Sequence, residues 1–123
     1  MDQSVKGNFE KAGFDVVGSI RRFAGNEALY AKHIFKFIDD KIYENLIKAM
    51  NEGNMENAFH EAHALKGVSG NLGLNPLFNP VSELVKMLRK NNSQADLDEL
   101  FAAVEAGYKI VIDVLTANKI NLD

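Results

Sequence analysis

The chain of 123 residues lacks several features on which arguments about function often depend. It contains no cysteine, so a disulfide framework and a thiolate metal site are both excluded. It has only two prolines, and no apolar run approaches the roughly 20 residues that a membrane-spanning helix needs. Its net charge is −3, so the chain does not have the excess of basic residues that is typical of a nucleic-acid-binding protein. Together with the lack of a signal peptide, these absences predict a cytoplasmic globular protein without a nucleic-acid or membrane partner.

The apolar residues that are present repeat at helical spacings, and no alternating strand pattern or long repeat is seen. The spacing predicts a short helix from about Asp15, its N-cap, to Phe23, with Ala24-Gly25 ending it. Four longer helices should follow, at residues 26–51, 54–71, 80–90 and from Ser93 onward. Short loops between helices imply antiparallel neighbours. The predicted fold is therefore all-α: an antiparallel four-helix bundle with a short additional N-terminal helix.

Some local features of these helices can also be predicted. Asn26 should cap the first long helix, and Asp39-Asp40-Lys41 should form a solvated face within it. The third predicted helix should end at Gly73 as its C-cap. Because proline fits poorly deep in a helix, Pro80 is expected to begin the main part of the next helix, after a short turn at residues 76–78.

The chain is expected to hold one domain, residues 13–123, preceded by a flexible arm, residues 1–12, which is polar and shows no periodicity. Met1 and this arm favour a free-standing protein. Because four helices of one chain account for the apolar stripes, we expect a monomer.

The stretch at residues 60–73 differs from a helix chosen for stability alone. Gly67 and Gly70 each cost a helix about 1 kcal/mol relative to alanine, and glycine on a helix face lets another surface approach closely. In projection, Lys66 lies roughly 60° from His63 on one side, Gly67 roughly 40° on the other, and the apolar stripe roughly 150° away. That stripe consists of Ala58, Ala62, Leu65, Ser69 and Leu72. The pattern predicts an exposed imidazole, a cation one turn on, and a bare patch where a second protein can dock.

The residues His63-Ala64-Leu65-Lys66-Gly67, followed by Leu72-Gly73, resemble the phosphoacceptor motif of histidine-containing phosphotransfer (HPt) domains. Gly13-Phe14-Asp15 and the stretch from Arg22 to Tyr30 also resemble the segment that precedes this motif in bacterial members. The resemblance implies a phosphorelay carrier of a two-component system, which exchanges a phosphoryl group with the aspartate of receiver domains. It implies response-regulator receiver domains and a hybrid sensor histidine kinase as partners.

The resemblance also assigns His63 as the phosphoacceptor, with Lys66 and Gly67 beside the phosphoryl group. The residues predicted to contact the partner are Phe59, His60, Ala64, Gly70 and Leu74, and Phe59 could instead lie at the edge of the core. Since the chain has no Walker-type loop, kinase-like glycine loop or aspartate cluster, we do not expect an enzyme with its own nucleotide site, cofactor or metal. By the resemblance, Mg²⁺ belongs to the partner receiver domain.

Alternatives remain at three further points. The chain could be a degenerate HPt-like helical adaptor that binds receivers without transfer, although the intact motif favours a carrier. His60 and His63 are spaced like metal ligands, but no third ligand is evident. Many family members carry Leu-Glu where this chain has Leu84-Val85, with Glu83 and Lys86 nearby, so the fourth-helix side chain that orients His63 stays open.

Overall fold

The computed structural model describes residues 1–90 and 94–119. This part of the chain folds into seven α-helices and one 3-10 helix, without a strand. The elements are α1 (Gln3–Lys11), α2 (Val16–Arg22), α3 (Glu27–Lys36), the 3-10 helix (Phe37–Asp39), α4 (Ile42–Asn51), α5 (Met55–Asn71), α6 (Asn75–Arg89) and α7 (Gln94–Lys119). The all-α prediction is confirmed, while the predicted cap at Ser93 lies outside the described residues.

Helices α4 to α7 form a four-helix bundle in which each helix packs against the next along the chain. Each contributes fully buried side chains to one core, including Leu46, Leu65, Leu84 and Leu115. The first and last helices of the bundle meet through Tyr43 and Tyr108, whose ring centroids are 3.7 Å apart. The bundle therefore holds α5 between α4 and α6, which leaves one face of α5 open to solvent.

The predicted helix over residues 26–51 is wrong in its continuity, because the structure divides it into α3, the 3-10 helix and α4. Asn26 does cap α3, where its side chain accepts a hydrogen bond from the Leu29 amide at 3.0 Å. Asp40 has extended backbone angles, φ −70° and ψ 136°, and its carboxylate accepts from the Ile42 amide at 2.8 Å. Aspartate competes in this way with helical hydrogen bonds. Asp39 and Lys41 are exposed, as predicted, but the acidic pair lies between two helices rather than within one.

The first twelve residues also differ from the prediction of a flexible arm, since residues 3–11 form α1. Val5 and Phe9, one helical turn apart, are buried, and the Phe9 ring centroid lies 5.9 Å from that of Phe35. Asn8 donates a hydrogen bond to Asn118 of α7 at 2.8 Å. This helix was not predicted from the sequence because only two large apolar side chains, Val5 and Phe9, form its buried face. Packing against α2 and α7 supplies the rest of its stability.

Helix α6 is continuous and contains Pro80, whereas the sequence predicted a turn followed by a helix beginning there. A proline in a helix leaves the carbonyl four residues earlier, here that of Pro76, without a backbone donor. This carbonyl lies against Gly107 of α7, where an added Cβ would be only 2.1 Å from the Pro76 oxygen. Close packing at a glycine therefore accommodates the irregular turn, and it keeps α6 and α7 in contact.

Candidate functional site

Helix α5 presents the histidine motif because its opposite face is buried in the bundle. Asn54 caps the helix by accepting a hydrogen bond from the Asn57 amide at 3.1 Å. Its buried residues, Ala58, Ala62, Leu65 and Ser69, are those of the predicted apolar stripe. His63 lies on the other side of the helix and is exposed.

The C-terminal end of α5 requires glycine at position 73, as the sequence predicted. Gly73 has a φ of +69°, and the Leu74 amide donates to the Ser69 carbonyl at 2.8 Å, which closes the helix end. An added Cβ at Gly73 would lie 2.3 Å from the Ser19 hydroxyl oxygen and 2.5 Å from the Asp15 carbonyl oxygen. The absence of a side chain thus allows the end of α5 to pack directly against the start of α2.

Arg22 of α2 binds this same end of α5. Its Nη2 donates to the Gly70 carbonyl at 2.9 Å and to the Ser19 hydroxyl at 2.9 Å, and its Nε donates to the Asn71 carbonyl at 3.2 Å. A cation at carbonyls left free by a helix C-terminus is favoured by the helix dipole. Arg22 was not predicted from the sequence to be a site residue, although its position in the segment before the histidine motif was a usable signal.

The imidazole of His63 lies beside an aromatic ring. The rings of His63 and Phe59 stack with centroids 6.1 Å apart and planes inclined by 23°. Phe59 is half-buried, and the guanidinium carbon of Arg89 in α6 lies 5.4 Å from the centroid of its ring. Glu83 and Lys86 of α6 were considered from the sequence as neighbours of the side chain that orients His63. In the structure they form an ion pair with each other at 3.2 Å.

The next turn of α5 leaves space on the other side of His63. Gly67 is exposed, and an added Cβ there would have no atom outside its own helix turn within 4 Å. Ala64 is exposed, and Lys66 is partly exposed one turn beyond His63. Among the described residues, no large side chain therefore blocks the approach of a second protein to the imidazole over Gly67 and Ala64.

The residues that were predicted to contact a partner differ in their exposure to solvent. Phe59, His60 and Ala64 are at least partly accessible, whereas Leu74 is fully buried and cannot contact a partner. The prediction for Leu74 used a helical projection, but the chain leaves the helix at Gly73, so the projection does not extend that far. At Gly70 an added Cβ would lie 2.9 Å from the Phe78 ring, so this glycine accommodates α6 as well as facing outward.

Other features of the described residues bear on the site. A cleft of about 340 Å³ lies beside it, lined by Met55, Glu56, Phe59, Leu88 and Arg89. Within residues 1–90 and 94–119, no three histidine, aspartate or glutamate side chains come together as metal ligands. No helix in this part of the chain combines the length and the apolar character needed to cross a membrane.

Comparison with known families agrees with this arrangement of helices and histidine. The model of the Hpt domain family matches residues 40–114, which include α4, α5, α6 and most of α7. The match covers more than half of the chain and contains the whole histidine motif, and the chain therefore belongs to the Hpt domain family. This is a family of phosphorelay histidine phosphotransfer domains, which carry phosphoryl groups and interact with receiver domains in two-component systems. No match was found among curated proteins or among solved structures.

Proposed function

We propose that this protein carries a phosphoryl group on His63, accepting it from the aspartyl phosphate of one receiver domain and donating it to another. The observation that supports the proposal is the exposed imidazole of His63 at the start of the family's motif, with a lysine one turn on and open space over Gly67. The motif alone would not support this proposal if the histidine faced the core.

The chemistry needs little from the carrier beyond a nucleophile and nearby positive charge. The unprotonated ring nitrogen of a neutral imidazole attacks phosphorus, the bond from phosphorus to the aspartate oxygen breaks, and the carboxylate leaves. The other ring nitrogen keeps its proton, and the reverse reaction returns the phosphoryl group to an aspartate. Positioning and charge neutralisation contribute most of the catalysis in phosphoryl transfer. We expect Lys66, one turn beyond His63, to offset the charge of the phosphoryl oxygens.

We propose that the partners supply the reacting groups that this chain does not carry. Receiver domains of response regulators and of a hybrid sensor histidine kinase supply the aspartate and its Mg²⁺, while this chain supplies the histidine and holds no cofactor or metal of its own. We further propose that the protein acts as a monomer in the bacterial cytoplasm.

Incubation with a phosphorylated receiver domain tests the proposal. We expect the label on His63 alone, as an acid-labile and alkali-stable adduct. His63→Gln should abolish labelling, whereas His60→Gln should keep most of it. The two histidines differ in their neighbours on the next helical turn: Lys66 and Gly67 lie three and four residues beyond His63, but His63 and Ala64 lie at those positions beyond His60. A phosphoryl group on His60 would have no cation one turn on.

Two results would contradict the proposal. Label retained in His63→Gln would overturn the assignment of the acceptor. A wild-type protein that binds the receiver but takes no label from several phosphorylated receivers would instead favour the adaptor hypothesis. Binding measured by titration calorimetry on the same samples separates these results from a simple failure to associate.

A further inference from the structure

Phe59 joins two side chains that the sequence did not connect. It lies one turn before His63, so their side chains meet on the same face of α5. The inclination of 23° and the centroid distance of 6.1 Å place their rings in an offset-stacked arrangement. The cation of Arg89 lies over the Phe59 ring at 5.4 Å, within the range of a cation–π interaction.

The two aromatic residues differ in how firmly the fold holds them. Phe59 is half-buried and packs against the hydrophobic core at the cleft that Met55 and Leu88 also line. His63 is exposed, and its ring makes no hydrogen bond to any residue within 1–90 and 94–119. An exposed side chain without such a bond exchanges between rotamers within nanoseconds. Among residues 1–90 and 94–119, Phe59 supplies the ring contact to this imidazole.

We propose that Phe59 is a positioning residue: its ring holds the imidazole of His63 by stacking, and Arg89 in turn holds the ring of Phe59. The kinetic consequence rests on the proposed function, because it concerns His63 as the nucleophile. A held imidazole stays in one orientation, from which attack on phosphorus can begin without a further search among rotamers. Phe59 thereby has a role different from the partner contact that was predicted from the sequence.

Kinetics of phosphoryl uptake separate positioning from docking. Phe59→Leu keeps an apolar side chain but removes the aromatic face, while Phe59→Tyr keeps the ring. We expect Phe59→Leu to lower the maximal transfer rate at saturating phosphorylated receiver by about tenfold, because small losses of alignment are costly in such reactions. The receiver concentration that gives half the maximal rate should stay unchanged, and Phe59→Tyr should transfer at nearly the wild-type rate.

Arg89 provides a second test of the same arrangement. Arg89→Gln should lower the maximal rate less than Phe59→Leu does. The double variant should be no slower than Phe59→Leu alone, because Arg89 acts on His63 only through the ring. Phe101→Leu is the matched control, since Phe101 is also half-buried but belongs to α7, which packs against α6. This control should leave both kinetic constants unchanged.

A measurement on the unphosphorylated protein tests the positioning without any transfer. Three-bond NMR couplings about χ1 of His63 should report one rotamer in the wild type and in Phe59→Tyr, and rotamer averaging in Phe59→Leu. If the wild type takes no label from any receiver yet shows this difference in couplings, the proposed function fails and the positioning role of Phe59 stands.

Two results would overturn the positioning role. The first is the same His63 couplings in Phe59→Leu as in the wild type. The second is a Phe59→Leu variant whose maximal rate is unchanged but whose half-saturating receiver concentration is raised, since that pattern belongs to a docking residue. Circular dichroism of each variant verifies that helix content is retained.

Discussion

At the scale of single residues, the site combines one reactive side chain with the absence of side chains nearby. His63 faces solvent and Gly67 leaves the adjacent surface open. Glycine in the interior of a helix is less favourable than alanine by about 1 kcal/mol. Since no atom of the described residues outside its own helix turn lies near the position of an added Cβ, their packing does not require glycine there. We infer that this position favours the approach of a partner over the stability of α5.

Two substitutions at Gly67 should therefore separate the effect of this position on stability from its effect on transfer. We expect Gly67→Ala to raise the free energy of unfolding by about 1 kcal/mol in urea denaturation, because alanine is the better helix former. Gly67→Phe should retain nearly all helical circular dichroism but block phosphoryl uptake from a receiver, since its ring would occupy the open surface beside His63.

Gly7→Ala is the matched control for Gly67→Ala, because Gly7 also lies in a helix and has no atom near an added Cβ, but belongs to α1. It should give a similar gain in stability and leave transfer unchanged. A Gly67→Phe variant that takes up the phosphoryl group at the wild-type rate would contradict the inference about the open surface.

At the scale of elements, the position of α5 depends on contacts at both its sides and its C-terminal end. Helices α4 and α6 pack along it, and α2 closes its end through Arg22 and through the Asp15 amide, which donates to the Gly73 carbonyl at 2.9 Å. These bonds join segments about fifty residues apart in the sequence. Helix α2 is short, and its contribution to the site is to hold the helix that carries His63.

Removing the Arg22 guanidinium should test this anchoring. We expect Arg22→Ala to lower the free energy of unfolding by about 1–2 kcal/mol, because carbonyls at the end of α5 lose charge-assisted hydrogen bonds. Arg21→Ala is the matched control, since Arg21 is exposed and makes no hydrogen bond to α5 within the described residues. Urea denaturation of both variants measures the difference. Equal stabilities for the two would show that the bonds of Arg22 contribute nothing measurable.

At the scale of the whole molecule, aromatic contacts join the first and last helices of the bundle. Tyr43 and Tyr108 contact each other, and Phe37 meets Tyr108 edge to face with centroids 6.0 Å apart. Burial, together with the nearby Glu105 carboxylate, raises the pKa of Tyr43 to about 12. Burial also raises the pKa of Tyr108 and of Tyr30 above the usual range for tyrosine. The folded bundle thus favours the neutral form of these phenols.

These shifts predict that the protein loses stability in alkaline solution. A phenol whose pKa is higher in the folded state binds more protons there than in the unfolded state between the two pKa values. The contribution of Tyr43 should thus be fully present below the ordinary tyrosine pKa of about 10 and be lost as the pH rises toward 12. Urea denaturation at a series of pH values should show a shallower decline for Tyr43→Phe than for the wild type. Parallel declines in the two proteins would contradict this account.

Local sequence patterns by themselves determined the class of fold, the helix caps at Asp15, Asn26 and Gly73, and the motif around His63. Such features depend on spacings of a few residues, which the sequence displays directly. The histidine could be placed opposite the core because the apolar stripe of α5 repeats regularly along that helix.

Only the tertiary structure decided the features that depend on residues far apart in the chain. Helix α1 is stabilised by contacts with α2 and α7 that its own weak pattern does not predict, and α6 accommodates Pro80 where α7 presents a glycine. The position of Arg89 over the Phe59 ring requires α6 to return alongside α5 in one particular register. Leu74 is buried because the chain turns at Gly73. Helical periodicity can orient a side chain within one helix, but packing between helices determines which side chains meet.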